Sequence, residues 1–388
     1  MTNRLHLSRR AFLIGCSAAA SPLLTPVSFA AARGENRLVV ILLRGAMDGL
    51  DVLRPIGDAD YAALRPTLAL DQGLPLTDFY TLHPAAAALL PLWQAGQLGF
   101  VQAVATPYRT GRSHFVAQDA LENGAGAING APTNARDGWL NRAVGLIPGA
   151  TAQTAVSVGR ERLMILDGDV PTAHWFPTED TGLSSQGRAL LTALYDVDPL
   201  LEPVFAEAQE LMLSTAGDRI PKNSKAVSQL GTYVAGRLRD DARIASFSLG
   251  GWDTHQGQTR TMTEQMPMLA GTLLSIQAGL GAAWDTTLVL AMTEFGRTAR
   301  ENGSAGTDHG TGGLMIAAGG ALRGGRVFGR WPGLGETALL AERDLQPTGD
   351  VRAYAGWALR NLFGVEAAGL ESTVFPGLDL GADPGIVL

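Results

Sequence analysis

Short, unbroken apolar runs separated by helix-patterned stretches constrain this chain more than any other feature. Residues 38–43 read Leu-Val-Val-Ile-Leu-Leu, with no polar position to face water. A strand of that kind is buried on both faces, as the strands of a parallel sheet are. Further strands are predicted at 98–104, 155–158, 244–249, 287–292 and 314–318. Helices are predicted between them, at 84–95, 114–122, 139–146, 187–213, 225–239, 262–284 and 351–363. Strand alternating with helix argues for an α/β fold, a mostly parallel central sheet with helices on both faces.

The chain has 388 residues, of which 46% are hydrophobic, so it can bury a large core. Residues 31–388 read as one domain, with the mostly helical stretch around 187–240 as an insertion or cap. The first thirty residues read as a targeting segment. Ser8-Arg9-Arg10-Ala11-Phe12-Leu13 is a twin-arginine pattern, an apolar stretch follows, and Ser28-Phe29-Ala30 supplies small residues for cleavage. The segment is too short to span a bilayer as a stable helix, and no transmembrane segment is expected in the mature chain. The expectation is export through the twin-arginine translocase to a periplasmic or secreted location. The single cysteine, Cys16, leaves with this segment, so the mature body has neither a disulfide nor a thiolate ligand. The net charge of −7 comes without a basic block, which argues against a nucleic-acid partner.

Acids and imidazoles collect where the predicted strands end. Asp48 follows the first run, Asp253 and His255 follow the run at 244–249, and Glu294 follows the run at 287–292. Ligands of open α/β sheets gather outside those carboxyl ends. Carboxylates crowded there would repel one another without a cation, and some would protonate instead. In an extended segment residues two apart face one side, so Asp253 and His255 can grip one ion. Asp308-His309 sits in a Gly-rich loop just before the run at 314–318. The first strand is followed by Arg44-Gly45-Ala46-Met47-Asp48-Gly49 rather than G-x-G-x-x-G, which argues against a dinucleotide-dependent oxidoreductase.

Five segments carry a resemblance. They are Arg44-Gly45-Ala46-Met47-Asp48-Gly49-Leu50, Gly111-Arg112-Ser113-His114-Phe115, Gly250-Gly251-Trp252-Asp253-Thr254-His255, Thr293-Glu294-Phe295-Gly296-Arg297-Thr298 and Gly306-Thr307-Asp308-His309-Gly310. Together they resemble the motifs of an uncharacterised bacterial family, domain of unknown function 1501, grouped with the alkaline phosphatase and sulfatase superfamily. The resemblance spans nearly all of 38–378. It implies an alkaline-phosphatase-like fold and a two-metal type of site. Asp48 matches the superfamily's first acid and Ser113 its nucleophile. Asp253 and His255 match an Asp/His pair, with one residue between them rather than three. Two alignments compete for the remainder. Either Asp308-His309-Gly310 is the Asp-His-Gly signature, or Glu294 holds that strand end and His309 takes the late-histidine place. The second is preferred, because a strand directly precedes Glu294; it leaves Phe295 where a histidine ligand is usual.

The roles implied are these. Asp253, His255 and His309 hold one ion, and Asp48 and Glu294, with Asp308 or His114, hold a second. Oxygen and nitrogen ligands suit Zn, Mn or Mg. Ser113 is the nucleophile, Arg112 assists it, and Arg109 and Arg297 clamp an anion. The function expected is an exported metal-dependent hydrolase of phosphate or sulfate esters, acting on a small anionic substrate. The alternative is a non-catalytic exported metal-binding protein that acts with a protein partner or in envelope assembly.

Overall fold

A computed structural model describes residues 34–69, 73–109, 111–125, 136–159, 162–175 and 224–388. The targeting segment, the helix predicted at 187–213 and most of the loop after α1 lie outside the described residues. Strands run in chain order as β1 (Arg37–Leu43), β2 (Leu53–Arg54), β3 (Leu74–Pro75), β4 (Thr81–Leu82), β5 (Leu98–Ala105), β6 (Ala155–Val158), β7 (Ala173–Trp175), β8 (Ile244–Leu249), β9 (Thr287–Met292), β10 (Gly313–Ala318), β11 (Arg326–Phe328) and β12 (Gly349–Asp350). The longer helices are α1 (His114–Asn123), α2 (Trp139–Leu146), α3 (Ser224–Arg239), α4 (Gln258–Leu280) and α5 (Val351–Phe363).

The central sheet has the order β11-β5-β10-β9-β1-β8-β6-β7, with β12 also paired to β5; β2, β4 and β3 form a small separate sheet. All pairs in the central sheet are parallel except those of β10, which runs antiparallel to both β5 and β9. The α/β expectation therefore holds, with one reversed strand near the middle. The apolar run of β1 alternates between two cores. Leu38, Val40 and Leu42 face α2 and α5, while Val39, Ile41 and Leu43 face α3 and α4. Each of these side chains is at most 1% exposed, and burial of one stabilises the fold by roughly 1.5–3 kcal/mol.

Helix starts and ends follow local chemistry. The Asp350 side chain accepts from Arg352 N and caps α5, and Gly364 closes it in the left-handed conformation. The helix predicted at 84–95 is a 3₁₀ turn, Pro84–Leu89, that passes into an α-turn, Leu90–Gln94. The stretch Gln258–Thr286 is long and apolar enough to cross a membrane by length and composition. Here it packs Met262, Met266, Leu269, Leu273 and Ile276 into the core.

Sheet order positions the site. β8, β1 and β9 are adjacent and parallel, with Leu43 opposite Leu249 and Leu42 opposite Met292. The segments bearing Asp48, Asp253 and Glu294 therefore leave the sheet side by side at one rim. Gly45 lets two of them touch. Its φ is +116°, and a Cβ there would lie 2.5 Å from the backbone nitrogen of Asp253.

Candidate metal centre

Three imidazoles converge at that rim, and they are three of the five histidines that follow the targeting segment. Each is held at Nδ1 by an acceptor. His114 Nδ1 lies 2.8 Å from Glu294 Oε1, His255 Nδ1 lies 3.0 Å from Asp308 Oδ1, and His309 Nδ1 lies 2.8 Å from the Arg112 carbonyl oxygen. A carbonyl oxygen can only accept, so Nδ1 of His309 carries the hydrogen. The two carboxyls are held ionised. Hydrogen bonds from His255 and Asn302 keep Asp308 below the usual carboxylate range. Burial opposes charge on Glu294, but bonds from His114, two backbone N–H groups and Gln118 outweigh it and hold its pKa low. With Nδ1 so engaged, each ring turns its Nε2 toward the site, the atom a metal ion would take.

Those Nε2 atoms face one another. His255 Nε2 and His309 Nε2 are 2.9 Å apart. Asp253 adds a carboxylate, with Oδ1 3.3 Å from His255 Nε2 and 3.7 Å from His309 Nε2, and Oδ2 3.6 Å from His114 Nε2. His114 Nε2 is buried and finds no hydrogen-bond partner among the described residues. Ligand atoms of His114, Asp253 and His309 all lie within 4.8 Å of one another. Tetrahedral bonds of ~2.0–2.1 Å place ligand atoms ~3.3 Å apart, so this spacing suits one small cation. Two lone pairs at 2.9 Å repel unless a cation or a shared proton lies between them. Burial and the surrounding positive groups push the His309 pKa down, which favours its neutral, ligating form.

The support for Asp253 is a buried guanidinium. Arg297 donates from Nη2 to Asp253 Oδ1 at 2.6 Å, and its remaining bonds go to carbonyls of Gly45, Ala46, Trp252 and Thr307. Burial raises the Asp253 pKa, but Arg297 more than offsets it and the net shift is downward. The ring of Phe295 lies 5.1 Å from that of His114 and 4.9 Å from that of His309, so Phe295 forms an apolar wall beside the two imidazoles.

Several residues expected in the site stand elsewhere. Asp48 does not join the imidazoles. It is fully buried, and its oxygens take two bonds from Arg65, at 2.7 and 3.1 Å, and one from Gln258 at 2.7 Å. Burial opposes the charge, yet Arg65 and Gln258 hold the Asp48 pKa below the usual range. Glu294 and Asp308 orient rings instead of pointing at an ion. The ligand set expected for a second cation therefore does not assemble, because its three carboxylates serve a guanidinium and two imidazoles. Arg297 is not an open anion clamp; it is 1% exposed, and each of its three guanidinium nitrogens donates to a protein oxygen. The Arg112 guanidinium pairs with Asp344 at 3.0 Å. Arg109 is exposed, and its Nε reaches the Thr106 carbonyl at 3.4 Å. Ser113 stands at the N-cap of α1 without a side-chain capping bond, directly before His114. Sequence reading missed Arg65, Gln258, Asn302 and Asp344, which carry no recognisable motif. A polar cleft of 490 Å³ adjoins the centre, lined by Asp308, Asn302, Arg300, Glu342 and Arg343 among others.

Among solved structures the chain is similar to alkaline phosphatase from the Antarctic bacterium TAB5, with 12% identity and a TM-score of 0.34, covering 73% of this chain and 91% of that one. It is similar to the lipoteichoic acid synthase LtaP from Listeria monocytogenes, at 7% identity, TM-score 0.42 and 94% and 78% coverage. The periplasmic domain of EptC from Escherichia coli, solved with Zn, matches at 8% identity, TM-score 0.38 and 74% coverage of each chain. At these identities and TM-scores the likeness assigns no chemistry to this chain. No curated protein matches it by sequence. The model of one family, described as protein of unknown function (DUF1501), matches residues 103–356. The chain belongs to the DUF1501 family.

Proposed function

We propose that this protein is an exported hydrolase of phosphate or sulfate esters that uses one divalent metal ion. The observation that carries the reading is the orientation of His114, His255 and His309. Each Nδ1 is tied to an acceptor, and the three Nε2 atoms are left facing one another and Asp253. Three imidazole nitrogens and one carboxylate favour Zn, then Mn; Mg prefers an all-oxygen shell. A divalent ion held there would supply Lewis-acid polarisation of an ester oxygen and would lower the pKa of a neighbouring hydroxyl.

The chain's own groups divide the remaining work. Ser113, at the start of α1, is the nucleophile in this reading. Its helix N-terminus offers N–H groups to an anion. Arg297 holds Asp253 in place, and Phe295 keeps water from one side of the rings. Arg109 is assigned to the anionic group, and the 490 Å³ cleft, which Arg300 and Arg343 also line, is large enough for the rest of a small substrate. Export rests on the twin-arginine pattern of residues 8–13.

The test is a panel of aryl phosphate, sulfate and phosphonate esters offered to the purified chain loaded with Zn or Mn. Hydrolysis that disappears in Ser113→Ala, with metal content retained, is the expected result. A zinc-loaded protein inert across the panel would sink the catalytic claim. One observation favours a second reading, a non-catalytic metal-binding protein that acts with a partner or in envelope assembly. Arg297 and Arg112 already serve carboxylates, which leaves few groups to clamp an anion.

A further inference from the structure

Asp344 lies 30 or more residues from every motif singled out in the sequence, yet it is tied to His309 by two routes. Its carboxylate is 1% exposed and fully engaged. Oδ2 accepts from Arg112 Nη2 at 3.0 Å and from Thr311 Oγ1 at 2.8 Å. Oδ1 accepts from Arg343 Nη1 at 2.7 Å. Both arginines then reach His309. The Arg112 carbonyl takes the His309 Nδ1 hydrogen at 2.8 Å, and Arg343 Nη1 donates to the His309 carbonyl at 2.9 Å. The same loop runs from Arg112 straight into Ser113 and His114. One buried acid therefore sets the ring of one imidazole, the backbone of the same residue, and the entry of the segment that carries a second imidazole.

The placement of Asp344 is itself over-determined. It closes the turn that begins at Leu340, with bonds from Leu340 N to Asp344 O at 2.8 Å and from Asp344 N to Leu340 O at 3.0 Å. Inside it Arg343 N also donates to Leu340 O at 3.2 Å, and the two central residues of that tighter turn, Ala341 and Glu342, have φ of 53° and 55°. Left-handed backbone is unusual for residues with a Cβ, and turns of this kind ordinarily take Asn-Gly. The backbone of Thr298 pairs across to Asp344, and Ala299 N donates to the Arg343 carbonyl, so the turn is fastened to the segment that follows Arg297.

We infer that Asp344 is a positioning residue of the metal centre, fixing the tautomer and place of His309 through Arg112 and Arg343. The inference rests on the metal reading above. Outer hydrogen-bond partners of metal-bound histidines alter metal affinity by about 10–100-fold when removed. Asp344→Asn keeps the size of the side chain and removes the charge that both arginines need. Zinc affinity is to be measured by chelator competition in the parent, Asp344→Asn, Arg112→Gln and the double variant. Cobalt(II) absorption spectra report ligand geometry in the same proteins.

The expected result is a weakening of about 10–100-fold in Asp344→Asn, a smaller loss in Arg112→Gln, and a double variant no weaker than Asp344→Asn alone. The cobalt band should shift in both single variants, which a purely structural role leaves unmoved, and Arg112→Lys should restore part of the loss. Should Asp344→Asn fail to fold, Arg112→Gln carries the test, because its guanidinium is half exposed. Zinc affinities within twofold of the parent, with unchanged cobalt spectra, overturn the inference while the metal reading stands. A parent chain that takes up no zinc overturns both.

Discussion

At the residue scale the protein separates side chains that face an ion from side chains that aim them. Glu294 and Asp308 are acids in the neighbourhood of the site, yet each faces the Nδ1 of a histidine. Exchanging either for its amide should weaken zinc binding about 10–100-fold without abolishing it, as calorimetry or chelator competition will show. Asp253→Ala should do more, because it removes a ligand and leaves the guanidinium of Arg297, buried at 1% exposure, without its carboxylate. The histidines and Asp253 were legible in the sequence from their position after apolar runs and from the five motifs. The distinction between ligand and orienting acid was not legible. Asp48 and Glu294 both follow buried strands, and only their neighbours in space, Arg65 for one and His114 for the other, separate their roles. Those neighbours lie 17 and 180 residues away along the chain. Arg65 shows no spacing rule that a reader of the sequence could use.

At the scale of elements, the strands and most helices were readable because periodicity reports burial. β1 shows this most plainly, since its six apolar residues sit on two cores at once. The reversal of β10 was not readable. An apolar strand looks the same in either direction, and β10, which follows the loop that carries His309, pairs antiparallel with both β5 and β9. Tight approaches between elements make that loop possible. Gly310 N donates to Gly296 O, and a Cβ on Gly310 would lie 2.4 Å from the Arg297 carbonyl carbon. Gly45 plays the same part between the exits of β1 and β8. Gly45→Ala should cost about 1–3 kcal/mol in chemical denaturation, from left-handed strain and backbone overlap. It should also weaken metal binding, because the Gly45 N–H helps hold Glu294.

At the scale of the whole molecule, a buried ion pair joins the rim to the body of the protein. Arg65 is fully buried, and it also donates to the Ala299 and Thr298 carbonyls at 2.9 and 2.8 Å. Arg65→Met would leave Asp48 charged and unpaired in the interior, and the expected loss is about 3–5 kcal/mol of unfolding free energy. The pH dependence follows from the same groups. Asp48 and Glu294 have folded pKa values below their unfolded ones, near ~4. Their contribution is therefore complete above that unfolded range and is lost as pH falls through the lower folded values. Thermal unfolding of metal-free protein should show Tm falling below about pH 4, and Asp48→Asn should flatten that fall. Metal-loaded protein should lose its added stability earlier, as protons compete for imidazoles below about pH 6.

The most direct measurement is the metal content of the folded chain after zinc loading and gel filtration, by mass spectrometry of the element, for the parent and for His255→Ala. One zinc per chain in the parent, and far less than one in the variant, is the predicted result. No bound zinc would mean that a shared proton, and not a cation, joins His255 to His309; two per chain would mean that Asp48 leaves Arg65 to hold a second ion.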